Sequence, residues 1–213
     1  MIKAVLIDLD GTLVTRDILD VICGIVGKEK DSEQINQEYY AGIRTGITPL
    51  IDRINLLQGV TISQIQHTLK GNSFLISGAT ELLDYLNQTH IISILNSGNI
   101  LPVLEYYQNL LGINYTIGTH PVLEGEVIKQ MTPKDLPERN YRVIRIKRLL
   151  DELSIHPQET LAIGDSPSDI KIFELAGTSI AINPKAGIEK FADYVIDNNL
   201  FQAISIIKKL NDF

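Results

Sequence analysis

The segment from residue 4 to residue 13, Ala-Val-Leu-Ile-Asp-Leu-Asp-Gly-Thr-Leu, constrains the fold more than any other part of this sequence. Four apolar residues lead directly into Asp8 and Asp10, which are separated by one residue. Side chains on an extended chain repeat with period two, so both carboxylates point to the same side. A strand this apolar is typical of a parallel sheet, which binds its ligands at the carboxyl ends of its strands. The alternative is a strand that ends in a solvated Asp-Gly turn.

The remainder of the chain shows two different patterns. Between residues 14 and 76, apolar residues recur at helical spacing, without a strong strand pattern. From residue 77 onwards, apolar strands alternate with helices, which favours right-handed crossovers and a doubly wound parallel sheet. We therefore predict an α/β fold whose core comprises residues 1–13 and 77–213, with a small all-helical domain, residues 14–76, inserted after the first strand.

Polar residues follow each apolar strand of the predicted core. The strands are expected near residues 91–95, 161–164 and 179–182, in addition to the first one. In a parallel sheet the carboxyl ends of all strands lie at one edge, so one crevice should collect these side chains. The residues expected there are Asp8, Asp10, Asn96, Ser97, Asp165, Asp169 and Asn183.

The charge balance limits the partners of this chain. Acidic residues outnumber basic ones by 26 to 19, which gives a net charge of −7. A protein this acidic has no general basic field for nucleic acid. An anionic substrate would therefore need a bound metal ion or a few well-placed Lys and Arg side chains.

Cysteine content and hydropathy indicate the cellular compartment of the protein. The single cysteine, Cys23, cannot form an internal disulfide and suits a reducing compartment. The start of the chain does not resemble a signal peptide, and no apolar stretch approaches the roughly 20 residues of a membrane span. We expect a cytoplasmic protein that binds neither membranes nor nucleic acid, as a monomer or a homodimer.

Four motifs in this order resemble those of the haloacid dehalogenase superfamily of phosphohydrolases. Residues 8–12 resemble its first motif, and Ser97, after a hydrophobic strand, resembles the second. Arg142 stands where the third motif carries a cation, and residues 164–169 resemble the fourth motif. The resemblance spans nearly the whole chain. It implies a Rossmann-like core and a phosphatase that depends on Mg²⁺.

The resemblance also implies the roles of the residues in the first two motifs. Asp8 would attack phosphorus and form an aspartyl phosphate, while Asp10 would protonate the leaving oxygen and then deprotonate the attacking water. Asp10 is therefore expected to have a raised pKa. Ser97 would donate a hydrogen bond to a phosphoryl oxygen, with Gly98 admitting backbone amides beside it. Ser97 could alternatively serve only as a helix N-cap.

Hard oxygen ligands of the kind that Mg²⁺ prefers occur in the first and fourth motifs. The resemblance assigns Asp8, Asp165 and the backbone carbonyl of Asp10 to the ion. Asp169 would support this site or orient Arg142.

The identity of the third-motif cation stays open at this stage. Arg142 matches the position, but Lys134 and Lys147 lie nearby in the sequence and compete for the role. Arg142 could instead belong to a solvated basic helix face, together with Arg139, Arg145, Lys147 and Arg148.

The helical insertion resembles the cap of the phosphoserine phosphatases in this superfamily. Asp17 stands where those enzymes carry a glutamate that binds the substrate ammonium, and Arg53 where an arginine binds the carboxylate. The implied substrate is phosphoserine or a related amino-acid phosphate. Alternatives are another small ester, such as a sugar or nucleotide monophosphate, and a non-catalytic phosphate-binding module. Asp17 could also be only a helix N-cap, and Arg53 only an exposed charge.

The motifs depart from the phosphoserine phosphatase pattern in three places. Asp17 is one methylene shorter than glutamate, Asn99 follows Gly98 in place of a second glycine, and Ser168 replaces an asparagine. Asp10 argues against a dehalogenase, because that branch lacks the second carboxylate of the first motif.

Overall fold

A computed structural model describes residues 1–72, 74–136 and 140–212; Arg139, one of the basic residues considered above, lies outside them. Eight strands occur in the described chain: β1 (Ala4–Ile7), β2 (Ile92–Ile100), β3 (Tyr115–Thr119), β4 (Leu123–Glu124), β5 (Val127–Ile128), β6 (Thr160–Gly164), β7 (Thr178–Ile182) and β8 (Tyr194–Ile196). Six of them form a parallel sheet in the order β3-β2-β1-β6-β7-β8, while β4 and β5 form an antiparallel hairpin. The predicted doubly wound α/β fold is confirmed.

Helices cover both faces of the sheet. Those described are α1 (Ile18–Cys23), α2 (Glu29–Tyr40), α3 (Thr48–Asn55), α4 (Ile62–Lys70), α5 (Ala79–Gln88), α6 (Leu101–Leu111), α7 (Tyr141–Glu152), α8 (Ile170–Phe173) and α9 (Phe201–Asn211). Alternate residues of β1 belong to two hydrophobic clusters, Val5 and Ile7 to one, Ala4 and Leu6 to the other. The first strand is therefore buried on both faces, as its apolar sequence predicts.

The register of the central strands fixes where the acidic residues lie. Ile7, the last residue of β1, is paired with Leu95 of β2 on one side and with Ile163 of β6 on the other. Asp8 therefore leaves the sheet between these two neighbours. The main-chain nitrogen of Asp8 donates to the Ile163 carbonyl at 3.0 Å, which holds the start of the following turn against β6.

The second strand is longer than predicted. The sequence placed its end near residue 95, whereas β2 continues to Ile100 and so includes Ser97. Its pairing with β1 stops at Leu95, and its pairing with β3 is irregular between Asn96 and Ile100. Asn96 and Ser97 thus lie in an irregular extension of β2 beyond its pairing with β1. This extension lies beside the crevice at the carboxyl edge of the sheet.

The helical insertion leaves and rejoins the core at one point. Thr15 donates from its main chain to Phe74 at 2.8 Å, and Ile76 donates to Leu13 at 2.9 Å. Helices α1 to α4 lie between these two crossings. The crossings fall close to the predicted limits of residues 14 and 76, while the division into two domains stays a prediction.

The β4–β5 hairpin binds the far end of the insertion. Gly59 donates from its main chain to Ile128 at 2.9 Å, and Ile128 donates back to Val60 at 2.9 Å. The Asn55 side chain makes two hydrogen bonds to the main chain of Met131, at 2.7 and 3.0 Å. The segment that joins α3 to α4 is therefore tied to the core.

Membrane association was not expected from the sequence. None of the helices in the described ranges combines the length and apolar character that a membrane crossing needs.

Close packing before β7 gives a test of the fold. A Cβ atom on Gly177 would lie 2.2 Å from the main-chain oxygen of Gln158. We expect Gly177→Ala to lower the free energy of unfolding by about 1–3 kcal/mol, because backbone atoms cannot move aside easily. Urea denaturation measures this change.

Gly71→Ala is the matched control. No described atom lies within 4 Å of a Cβ at this position. Its effect should stay within about 0.5 kcal/mol. Equal stability of the two variants would contradict the packing described before β7.

Candidate active site

A cavity of about 530 Å³ opens at the carboxyl edge of the sheet, beneath the helical insertion. Its volume is within the range of about 300–1,000 Å³ that is common for small-molecule sites. Predicted site residues from both parts of the chain line it: Asp8, Asp10, Asp17, Arg53, Ser97, Gly98 and Arg142. The structure thus brings the strand ends and the insertion together around one space.

Three buried carboxylates form a group beside this cavity. Asp8, Asp165 and Asp169 each offer an oxygen, and these atoms lie within 4.8 Å of one another. Asp169 Oδ2 is buried and has no hydrogen-bond partner in the described part of the chain. Several hard oxygens at this spacing fit a Mg²⁺ ion that keeps some of its waters. The carboxylate of Asp10 is not in the group, and the contribution of its backbone carbonyl stays a prediction.

Arg142 reaches the carboxylates from the first turn of α7. Its Nη2 lies 2.8 Å from Asp169 Oδ1 and 3.3 Å from Asp8 Oδ1, and donates to Asn96 Oδ1 at 2.6 Å. Arg142 therefore does not lie on a solvated helix face. Burial raises the pKa of Asp8 well above its ordinary value and Asp169 raises it further, while Arg142 opposes the rise.

The two lysines that were alternatives to Arg142 as the third-motif cation lie away from the cavity. Lys134 and Lys147 are both exposed, and neither lines the cavity. The geometry therefore favours Arg142 as the cation of the site.

Asp10 occupies a separate position from the group of three. Its Oδ1 accepts from the Ile18 main chain at 2.7 Å, and its Oδ2 lies 3.4 Å from Ser97 Oγ and 3.3 Å from Asn99 Nδ2. Burial is the main reason that the pKa of Asp10 is raised, to about 7, and Asp17 adds to the effect. A carboxyl group with this pKa is protonated in part near neutral pH and can donate a proton.

Ser97 is not the cap of the following helix. The residue at the N-cap position of α6 is Ile100, and no side chain among the described residues caps that helix. Ser97 Oγ instead accepts from the Asn99 main chain at 3.2 Å and donates toward Asp10. The alternative of a purely capping role is wrong.

The insertion supplies a buried charged network to the other side of the cavity. Arg53 Nη2 lies 2.5 Å from Asp17 Oδ1 and 2.8 Å from Asp20 Oδ1, and its Nε donates to Ser32 Oγ at 2.9 Å. The side chain of Arg53 is only 9% exposed, so the alternative of an exposed charge is wrong. Asp17 is both the N-cap of α1, as the alternative proposed, and a residue of the cavity wall.

Some residues of the site were not singled out from the sequence. Asp20 shares Arg53 with Asp17, and Asn36 Nδ2 donates to Asp17 Oδ2 at 3.0 Å. Asp20 lies three residues after the N-cap Asp17, in the first turn of α1. This spacing is visible in the sequence and could have indicated that Asp20 lies near Asp17. Asn36 lies on the polar helix α2 and carries no comparable signal.

The end of β7 differs from the prediction. Asn183 does not line the cavity, and its Oδ1 accepts from the Asn198 main chain at 2.9 Å. Lys185, two residues later, reaches the acidic group, with its Nζ 2.5 Å from Asp165 Oδ2. Asn183 has a φ of +43°, which turns the chain away from the direction that the strand implies.

Comparison with known proteins agrees with this geometry. Residues 2–177 match the model of the haloacid dehalogenase-like hydrolases. The chain belongs to this family. It is therefore a hydrolase, and the resemblance that the sequence motifs indicated is confirmed.

Similar proteins extend over almost the full chain. A phosphoserine phosphatase of Campylobacter jejuni subsp. doylei is 25% identical over 208 residues, which cover 97% of this chain and 100% of that protein. One from Methanocaldococcus jannaschii is 26% identical over 217 residues, covering 97% and 98%. A solved substrate-bound phosphoserine phosphatase complex superimposes with a TM-score of 0.86 at 22% identity, covering 97% of this chain and 98% of the other. The solved structure of a phospho-aspartyl intermediate analogue of a phosphoserine phosphatase superimposes with a TM-score of 0.84 at 23% identity. The match covers 96% of this chain and 98% of the other.

The burial of Arg53 leads to a stability prediction. Arg53→Leu should lower the free energy of unfolding by about 3 kcal/mol, because it leaves the Asp20 carboxylate buried without its cation. Arg44→Leu is the control, since Arg44 pairs with Glu38 and Asp52 at the surface and its loss should change stability little. Denaturant unfolding of both variants measures the difference. Similar losses in the free energy of unfolding would contradict the buried ion-pair network around Arg53.

Proposed function

We propose that this hydrolase is a Mg²⁺-dependent phosphatase that cleaves a small phosphate monoester through an aspartyl phosphate at Asp8. The observation that carries the proposal is the contact of Asp8 with Arg142 at the base of the cavity, next to Asp165 and Asp169. Phosphoryl transfer needs little covalent chemistry from a protein beyond a positioned nucleophile and neutralised charge. This group of residues supplies both requirements.

The proposed reaction has two steps. Asp8 attacks phosphorus in line, and protonated Asp10 gives its proton to the leaving ester oxygen. Asp10, now ionised, accepts a proton from the water that attacks the aspartyl phosphate. The products are the alcohol, inorganic phosphate and the original carboxylates. The raised pKa of Asp10 suits this exchange of a proton, because the group can hold either state near neutral pH.

Several side chains would support these steps. Ser97 and Gly98 line the cavity beside Asp10, where a hydroxyl and backbone amides can donate to phosphoryl oxygens. Mg²⁺ held by Asp8, Asp165 and the Asp10 carbonyl, with Asp169 in support, would supply positive charge for the phosphoryl oxygens. Arg142 contributes a fixed cation from the protein itself and keeps Asp8 and Asp169 in place.

We propose phosphoserine or a related amino-acid phosphate as the substrate. Asp17 and Arg53 line the same cavity as Asp8, so one small molecule can contact all three. Ser32, Asp17 and Asp20 hold Nε and Nη2 of Arg53, whereas its Nη1 has no hydrogen-bond partner in the described residues and can donate to a carboxylate. The relatives named phosphoserine phosphatases support this substrate class.

The insertion is proposed to act as a cap over the crevice. Residues 14–76 provide Asp17 and Arg53, and their helices cover the carboxyl edge of the sheet. A cover of this kind excludes water and limits the substrate to a small molecule. A small metabolite, rather than a nucleic acid or a membrane surface, is accordingly the expected partner.

A panel of phosphate esters tests the reaction and the substrate together. We expect Mg²⁺-dependent release of phosphate, fastest from phosphoserine, and loss of release when a chelator is added. Asp8→Asn should remove release from every ester, because an amide does not form the acyl phosphate. The assay measures free phosphate. Equal rates of release from sugar, nucleotide and amino-acid esters would refute the proposal that the substrate is an amino-acid phosphate. No release from any ester would refute the phosphatase and favour a non-catalytic phosphate-binding module.

Arg53→Lys separates carboxylate binding from general stability. The change keeps the positive charge but loses the planar array of donors. We expect KM for phosphoserine to rise about tenfold, with a much smaller change for phosphoethanolamine, which lacks the carboxylate. Steady-state kinetics on both esters is the measurement. Equal changes in KM would contradict the assigned contact.

A further inference from the structure

We propose that Lys185 is a positioning residue whose ammonium group holds Asp165 in the orientation in which it binds the divalent cation. The proposal depends on the metal site of the proposed function and adds a residue to it. Lys185 follows β7. Its ammonium group is positively charged and cannot be a metal ligand, so it would act through the neighbouring carboxylate of Asp165.

Two contacts join Lys185 to Asp165. Nζ of Lys185 lies 2.5 Å from Asp165 Oδ2, and the main-chain nitrogen of Lys185 donates to the Asp165 carbonyl at 2.8 Å. Asp165 is 1% exposed, whereas half of the Lys185 side chain is accessible. The loop after β7 therefore delivers a cation to a carboxylate that is otherwise shut off from solvent.

Gly11 leaves the space in which this pair forms. A Cβ at position 11 would lie 2.0 Å from Asp165 Oδ2 and 2.8 Å from Lys185 Nζ. The ion pair consequently passes directly over the turn that follows Asp10. Its location places the ammonium group at the edge of the acidic group, next to the residues proposed to carry out the chemistry.

Arg142 and Lys185, which both contact the group of three carboxylates, pair with different acids. Arg142 contacts Asp8 and Asp169, both through Oδ1, and Lys185 contacts Asp165. A carboxylate that binds a metal through one oxygen is commonly held through the other, and loss of such a partner costs about 10- to 100-fold in metal affinity. Lys185 forms an ion pair with Oδ2 of Asp165, and the carboxylate would bind the cation in the orientation that this pair fixes.

An ammonium group near a divalent cation also repels it, and the two effects have opposite signs. If orientation dominates, removal of Lys185 weakens Mg²⁺ binding. If repulsion dominates, removal strengthens it. A titration of the protein with Mg²⁺ alone therefore distinguishes them without any substrate.

The experiment is calorimetric titration of the full chain with Mg²⁺, using wild type, Lys185→Gln, Lys185→Arg and Lys190→Gln. We expect Lys185→Gln to weaken binding about 10- to 100-fold and Lys185→Arg to restore most of the affinity. Lys190 is the matched control, because it is an exposed lysine five residues further on with no ion-pair partner among the described residues. Lys190→Gln should bind as the wild type does. Urea unfolding of each variant checks that the fold is retained.

Kinetics provide a second readout. The Mg²⁺ concentration for half-maximal activity should rise in Lys185→Gln by the same factor as the dissociation constant, with kcat at saturating Mg²⁺ near the wild-type value. Unchanged or tighter Mg²⁺ binding by Lys185→Gln would overturn the inference while leaving the phosphatase in place. A wild-type protein that binds no Mg²⁺ would overturn the metal site itself, and the role of Lys185 with it.

Discussion

Carboxylates that repel one another are held together at the end of β1, and the surrounding residues compensate for that repulsion. Asp8 and Asp169 share the guanidinium group of Arg142, while Asp165 is paired with Lys185. Buried like charges are unfavourable unless cations or protons offset them. Burial keeps the pKa of Asp8 raised even with Arg142 in contact, so a further cation stabilises its ionised form. The need for positive charge near these buried carboxylates suits the site to a divalent ion, which would in turn attract an anionic substrate.

The sheet explains how these acids, which lie far apart in the sequence, are brought together. β1 is central and buried on both faces, and its register with β2 and β6 is fixed by backbone hydrogen bonds. Asp8 therefore emerges beside the irregular end of β2 and the start of the turn that carries Asp165. The insertion adds Asp17 and Arg53 from the opposite side, and its contacts with the β4–β5 hairpin hold that side in place.

The elements that could be predicted from sequence are those governed by local periodicity. The apolar run before Asp8 and the alternation after residue 77 predicted the parallel sheet, and the shared strand edge predicted that Asp8 and Asp165 would be neighbours. Side chains beyond a strand end follow loop dihedrals, which sequence periodicity does not encode. Asn183, with a φ of +43°, consequently turns away from the cavity, and the contact of Lys185 with Asp165 was not expected. The pairing of Arg53 with Asp20 likewise depends on how α3 packs on α1, which is a tertiary contact.

Trapping the covalent intermediate tests the central claim most directly. The protein is mixed with phosphoserine and Mg²⁺, treated with borohydride to reduce an acyl phosphate, digested and analysed by mass spectrometry. An aspartyl phosphate at the nucleophile predicts homoserine in place of Asp8, only when substrate is present. An unmodified Asp8 during turnover, or reduction at another aspartate, would contradict this account.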